Sequence, residues 1–195
     1  MTEVRVLTGP ALDAALEDVA RLRITVFRAF PYLYDGDLAY ERRYLEAYRA
    51  HSAILVAAFD GARLVGAATG TAMEDHAAEF AAPFAARPEP FSQIFYCAES
   101  VLLPDYRGRG LGHAFFDARE AHARALGRRY AAFCAVLRPE DHPARPAGYA
   151  PLDPFWRKRG YAPLPGVEAR FRWKDIGADT DTPHRLQFWM RDLTA

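Results

Sequence analysis

Gly108, Gly110 and Gly112 stand at alternate positions in the segment VLLPDYRGRGLG (101–112), and Arg107 and Arg109 alternate with them. Glycines at this spacing let the backbone approach a ligand closely and take up conformations closed to other residues. The residues that follow have strong helical periodicity, so the turn opens a helix whose first N–H groups have no partner of their own. Unpaired N–H groups, the positive end of the helix dipole and two guanidiniums all favour a negatively charged guest, and a diphosphate fits them best. A dinucleotide GxGxxG motif would need its third glycine at His113, and no acidic residue is suitably placed at the end of the next strand. No Gly-Lys-Ser/Thr occurs, which excludes a P-loop. The alternative is a tight, arginine-flanked turn with no ligand.

Other reactive side chains offer less. Cys97 and Cys134 lie in apolar, strand-like runs and read as inert core thiols rather than a disulfide or a nucleophile. His113 and His122 lie too far apart on one helix to share a metal, and no Cys/His cluster occurs, so no metal site is expected.

The elements that must position the turn follow from periodicity. Val4 and Val6 belong to a short strand stopped by Gly9-Pro10. Leu12, Leu16, Val19, Leu22, Val26 and Phe27 give one buried face to a helix from Ala11 to about Phe30. A second helix spans Leu38 to about Ala50, where Tyr40, Tyr44 and Tyr48 read as packing. AILVAAFD and RLVGAATGTAM flank Asp60-Gly61-Ala62 as a hairpin. The alanine- and proline-rich stretch 74–91 reads as a short helix and an irregular loop. SQIFYCAESVLL is a long strand leading into the glycine turn, and the helix from Leu111 to about Leu126 is ended by Gly127. RYAAFCAVL is a buried strand, so the strand–helix–strand unit favours a parallel, right-handed crossover. After a proline-rich loop from Arg138 to Pro154, the short helix FWRKRG ends at Gly160. VEARFRWKDI and HRLQFWMRDL form a terminal hairpin through GADTDTP. Its Trp173, Phe188 and Trp189 suit a core, a homodimer face or an acceptor surface, and the sequence leaves these open.

With 195 residues, 51% of them apolar, the chain suffices for one well-buried core, and one domain over residues 1–195 is expected. Its 25 basic and 25 acidic side chains cancel, so neither nucleic acid nor an anionic membrane is an expected partner. No signal-peptide pattern and no apolar run of roughly 20 residues occurs, and a soluble, cytoplasmic protein is the expectation.

Arg107-x-x-Gly110-x-Gly112, preceded by Pro104-x-Tyr106 and a long strand, resembles the acyl-CoA signature of the GNAT superfamily of N-acetyltransferases, Gln/Arg-x-x-Gly-x-Gly/Ala. The order of elements is similar over nearly the whole chain, down to Arg159-Gly160-Tyr161 after the short helix. The resemblance implies an α/β (α+β), single-domain GNAT-like fold, with a mixed central β-sheet of about seven strands splayed in the middle and flanked by helices. It implies acetyl-CoA as acyl donor, with the backbone from Arg107 through Gly108, Arg109, Gly110 and Leu111 to Gly112 on the diphosphate. The pantetheine arm would lie beside Val101, Leu102 and Leu103.

The implied activity is direct acetyl transfer to an amine, with a small-molecule amine preferred as acceptor over a protein lysine or N-terminus. Such transfer needs a neutral amine and a proton for the departing thiolate. Glu99, on the signature strand, is the expected base, its pKa raised by burial; a structural pairing with an arginine is the alternative. The family's tyrosine acid falls at Trp156 here, which cannot serve, and Tyr149 is the expected substitute, with Tyr161 or a water next. This departure is the best support for a rival reading as a non-catalytic acyl-CoA-binding domain. The family's acceptor loop corresponds to PYLYDGDLAYERRY, where Tyr32, Tyr34, Asp35, Asp37 and Glu41 could hold a cationic amine by ring faces and carboxylates. Asp35-Gly36-Asp37 equally reads as a plain turn.

Overall fold

A computed structural model describes residues 2–76 and 80–194. Strand β1 (Thr2–Leu7) leads into α1 (Gly9–Phe27), whose first turn admits Pro10 because its missing N–H would be unpaired there anyway. After a loop, α2 (Leu38–Leu45) is capped by Asp37, whose side chain accepts from the Tyr40 N–H, and it tightens into a 3-10 turn over Glu46–Arg49 instead of running on as α-helix to Ala50. The hairpin of β2 (Ile54–Asp60) and β3 (Arg63–Ala72) turns on Gly61, which holds φ +61°. Strand β2 is buried on both faces: Leu55 and Ala57 pack under α1, while Ile54, Val56 and Ala58 pack on the opposite side. This accounts for its unbroken apolar run.

Part of the stretch 74–91 lies outside the described residues; its remainder holds a short helix α3 (Ala81–Phe84) and a 3-10 turn over Phe91–Gln93. Strand β4 (Ile94–Leu102) and helix α4 (Leu111–Ala125) follow, and Gly127, at φ +71°, ends the helix. Strand β5 (Tyr130–Val136), helix α5 (Asp153–Lys158) and the hairpin of β6 (Ala162–Trp173) and β7 (Thr182–Asp192) complete the chain. Strand β6 starts at Ala162, ahead of the Val167 expected from sequence. Pro163, Pro165 and Gly166 read as breakers, but the sheet absorbs them in an irregularity between Pro163 and Glu168.

The seven strands form one mixed sheet in the order β1-β2-β3-β4-β5-β7-β6. All neighbours are antiparallel except β4 and β5, which pair in parallel through Ile94–Tyr130, Phe95–Ala131 and Tyr96–Ala132 only. Beyond that point β4 stays with β3 and β5 stays with β7, so a gap opens between two half-sheets. Helices α1 and α2 cover one face, and α4 covers the other with Leu111, Phe115 and Phe116. Trp173 and Phe188 are core residues of the first face and Trp189 of the second. Among the described residues, no helix is long and apolar enough to cross a membrane.

Candidate active site

The glycine turn sits where the gap meets the start of α4. Gly108 and Gly110 hold φ +72° and +80°, in the left-handed region that disfavours side chains, and Gly110 is the N-cap of α4. No side chain caps the helix; the His113 and Ala114 N–H groups donate to the Gly110 carbonyl, which leaves those of Leu111 and Gly112 for a ligand. Arg107 is exposed and has no ion-pair partner among the described residues, whereas Arg109 is braced by the Asp105 carbonyl at 2.7 Å and lies over the Tyr106 ring. Tyr106 donates in turn to Asp60, tying the turn to the β2–β3 hairpin at 2.8 Å. Leu102 and Leu103 are partly exposed at the end of β4, while the side chain of Val101 is wholly buried in the core under α1. These residues form a ready anion site and a strand edge leading inward from it.

At the inner end of the gap, β4 is irregular. Gly70 pairs with Cys97 and Ala68 with Ser100, so Ala98 and Glu99 together oppose Thr69 as a β-bulge. Arg119 of α4, almost wholly buried, fills it. Its Nη1 donates to the carbonyls of Thr69 and Glu99, each at 3.1 Å, and its Nη2 donates to the Ser100 hydroxyl at 2.8 Å. The helix that carries the glycine turn is thereby fastened to the segment that presents Glu99.

Glu99 opens onto a cavity of ≈ 70 Å³ bounded by α1, α2, β4 and the terminal hairpin. That is room for about five waters. Glu99 is buried and, at the same time, paired with an arginine, as the structural alternative expected. Its Oε2 lies 2.6 Å from Nη1 of Arg23, off hydrogen-bond alignment, while Oε1 is buried with no hydrogen-bond partner. Arg23 also donates through Nε to Oε2 of Glu41 at 2.5 Å, and Glu41 Oε1 is likewise buried with no aligned hydrogen-bond partner. Burial opposes the charge of Arg23, but the Coulombic pull of Glu99 and Glu41 outweighs it and raises the guanidinium pKa well above its ordinary value. Arg23 does not stand out in sequence, and Glu41 stands out only as one of the carboxylates of the loop expected to bind the acceptor. Each sits in an amphipathic helix where a charged residue reads as solvated, and only their mutual pairing makes burial tolerable.

Of the loop residues expected to bind the acceptor, Tyr32 and Tyr34 line the cavity, as do Tyr40 and Tyr44 of α2. Asp37 is committed to the cap of α2, and Asp35 pairs at the surface with Arg28 and Lys174. Of the carboxylates expected there, only Glu41 lines the cavity, beside Glu99. Arg138, from the loop after β5, donates to the carbonyls of Pro31 and Tyr32 and pairs with Asp175 at 2.8 Å, fixing the acceptor loop against the end of β6.

The candidates for proton donor separate. The Tyr161 hydroxyl is buried and donates to Glu120, and Trp156 packs on Phe133 and Trp189 in the core on the α4 side. Tyr149 is partly exposed with its ring edge-on to Phe30, outside the cavity lining. Tyr96, which sequence reasoning passed over, lines the cavity at the last β4–β5 pair with its hydroxyl 3.2 Å from the Cys134 sulfur. Burial pushes the Cys134 thiol up to about 12, so it is a thiol at neutral pH and no nucleophile. No group of His, Cys, Asp and Glu among the described residues could hold a metal.

The sequence pattern described as the acetyltransferase (GNAT) family matches residues 17–161. Among solved structures, the chain is similar to an N-acetyltransferase from Staphylococcus aureus Mu50, at 13% identity and a TM-score of 0.59, covering 99% of both chains. It is similar to the ribosomal-protein-alanine N-acetyltransferase of Brucella melitensis, at 14% identity and a TM-score of 0.60, over 97% of this chain and 99% of that one. The PaiA N-acetyltransferase of Thermoplasma acidophilum, in complex with coenzyme A, aligns at 11% identity and a TM-score of 0.53, over 98% and 99%. No curated protein matches the chain.

Proposed function

The chain belongs to the acetyltransferase (GNAT) family, and from that premise we propose that it moves an acetyl group from acetyl-CoA to the primary amine of a small molecule held in the cavity at Glu99. One observation carries the reading: the glycine turn and the carboxylate-bearing cavity lie at the two ends of the same gap between β4 and β5. Backbone N–H groups of Leu111 and Gly112, with Arg107 and Arg109, would hold the diphosphate, and the glycines at 108 and 110 keep side chains out of its way. Leu102 and Leu103, with the backbone at Val101, would flank the pantetheine arm. Acetyl-CoA, when bound, supplies the activated carbonyl and the thiolate leaving group.

The chain's own groups supply binding and proton handling. Glu99 Oε1, unpartnered and facing the cavity, takes a proton from the incoming amine. The proton for the departing sulfur comes from Tyr149, within reach of the mouth, or from Tyr96 at the apex of the gap. The small size of the cavity and its burial under a loop clamped by Arg138 favour a small molecule over a protein side chain as acceptor.

The commitment of Tyr161 to Glu120 and the presence of Trp156 favour a second reading, a non-catalytic acyl-CoA-binding domain. Calorimetric titration with acetyl-CoA, followed by thiol release across a panel of amines, separates the two. Tight binding with turnover of at least one amine, lost in Glu99→Gln, is the expected result. Binding without release for any amine would leave the sensor reading, and no binding of coenzyme A would remove both.

A further inference from the structure

The chemistry of the cavity narrows the acceptor further, on the acetyl-transfer reading. Arg23 is the only cation among the lining residues described, and its Nε and Nη1 already face two carboxyl groups. The rings of Phe27 and Tyr44 cover its guanidinium at 5.0 and 4.2 Å, and Glu41 and Glu99 take its Nε and Nη1. The lining described therefore sets one guanidinium against two carboxyl groups, a balance that disfavours a further carboxylate. The unmet need is of the opposite sign: two carboxyl groups face one guanidinium, Oε1 of Glu99 is buried with no hydrogen bond, and Oε1 of Glu41 has only the nearby Tyr34 hydroxyl, itself without an aligned partner. An ammonium group brings three N–H donors and one positive charge to such a place. The remaining wall is aromatic. The Tyr32 ring stands 4.2 Å from Phe27 and 5.7 Å from Trp173, and the Trp173 indole is held by hydrogen bonds to the Tyr32 carbonyl and Asp175.

We infer that the acceptor is a primary amine on a ring-sized apolar body that carries no carboxylate, an arylalkylamine rather than an α-amino acid. The amine enters as an ammonium between the two carboxyl groups and gives one proton to Glu99. The N–C bond to the acetyl carbon then forms, the C–S bond breaks, the thiolate takes its proton from the tyrosine donor, and the second proton lost by nitrogen restores that tyrosine. The sum is ammonium plus acetyl-CoA giving N-acetyl amide, free coenzyme A thiol and one released proton.

The test compares 2-phenylethylamine with phenylalanine, and tyramine with tyrosine, with putrescine and an alanine-ended peptide as further acceptors, following thiol release from acetyl-CoA. Each ring-bearing amine should exceed its amino acid by about 100-fold or more in kcat/KM, because a buried carboxylate would join two others around a single guanidinium. In Glu41→Gln, which relieves that repulsion and frees part of Arg23, the ratio should fall at least about 10-fold. Amino acids turned over as well as their amines would overturn the inference and leave acetyl transfer standing. Turnover confined to the peptide or to putrescine would also overturn it. Thiol release with no acceptor of any kind, although coenzyme A binds, would count against the acetyl-transfer reading itself.

Discussion

Glu99 is held in two ways at once, by Arg23 at Oε2 and by nothing at Oε1, and its proposed chemistry depends on the second. Glu99→Gln keeps the shape and the contact to Arg23 but cannot take a proton. It should lower kcat by about 10²–10⁴-fold with coenzyme A affinity unchanged, and a variant as active as the parent would end the assignment. Tyr96→Phe and Tyr149→Phe divide the remaining step: the true donor should lose kcat by about 10²-fold or more while the other stays near the parent, as steady-state kinetics would show. His76 offers a test on stability. It stacks on Phe80 at 4.5 Å and meets the Tyr96 ring edge-on, and burial, then the charge of Arg23, lowers its pKa from 6.5 to about 4. The unfolded chain therefore takes up this proton first, so stability present above pH 6.5 is lost as the pH falls towards 4, by at most about 3 kcal/mol. Urea unfolding of His76→Gln should show a flatter dependence in that window, and an unchanged slope would contradict it. At this scale the sequence shows the glycine turn and Glu99 plainly but hides their partners. Glu99 meets Arg23 and Glu41 only after folding, and nothing in amphipathic helical periodicity distinguishes a buried ion pair from a solvated face.

Helix α4 works at both ends: its N-terminus is the proposed diphosphate site and its Arg119 fills the β4 bulge. Gly110 occupies φ +80° with open space around its Cα, so Gly110→Val suffers from the backbone rather than from a clash, about 1–3 kcal/mol where a β-branched residue must adopt that conformation. Arg107→Ala removes an exposed cation and should leave the fold intact. Calorimetry should show coenzyme A affinity falling in both, by about 10-fold or more for Arg107→Ala, and full affinity in both would place the diphosphate elsewhere. The turn was legible because its requirements are local: glycine at φ above zero, then an uncapped helix start. The strand-helix order was legible for the same reason, down to Gly61 and Gly127 as stops. The early start of β6 was not, since Pro163, Pro165 and Gly166 are tolerated only through an irregularity that pairing with β7 creates. The Arg119 plug was hidden too, because a helix-borne arginine that bonds to strand carbonyls has no signature in spacing.

For the whole molecule, the consequence of the splay is mechanical. Strands β1–β4 and β5–β7 form two half-sheets joined through three parallel pairs, with α4 and its connections bridging them. Residues 98–102 of β4 and 133–136 of β5 have ladders on their outer sides only, to β3 and β7. An elongated ligand in the gap would pair with both inner edges and bind the native state alone. At a coenzyme A concentration 100 times Kd this adds about 2.7 kcal/mol, a rise in Tm of about 5–10 °C for a chain of this size. Hydrogen exchange locates the effect. Amides in 98–102 and 133–136, with those of the turn at 107–112, should become protected, while β1 and β6 at the sheet edges stay as they were. ADP supplies the diphosphate without the pantetheine arm, so it should protect the turn and leave the inner strand edges exchanging. If coenzyme A protected the turn and not the strands, the diphosphate site would stand and the gap would lose its role. Equal protection of both strand edges by ADP would instead point to closure of the half-sheets on each other, with the anion at the helix start as the trigger.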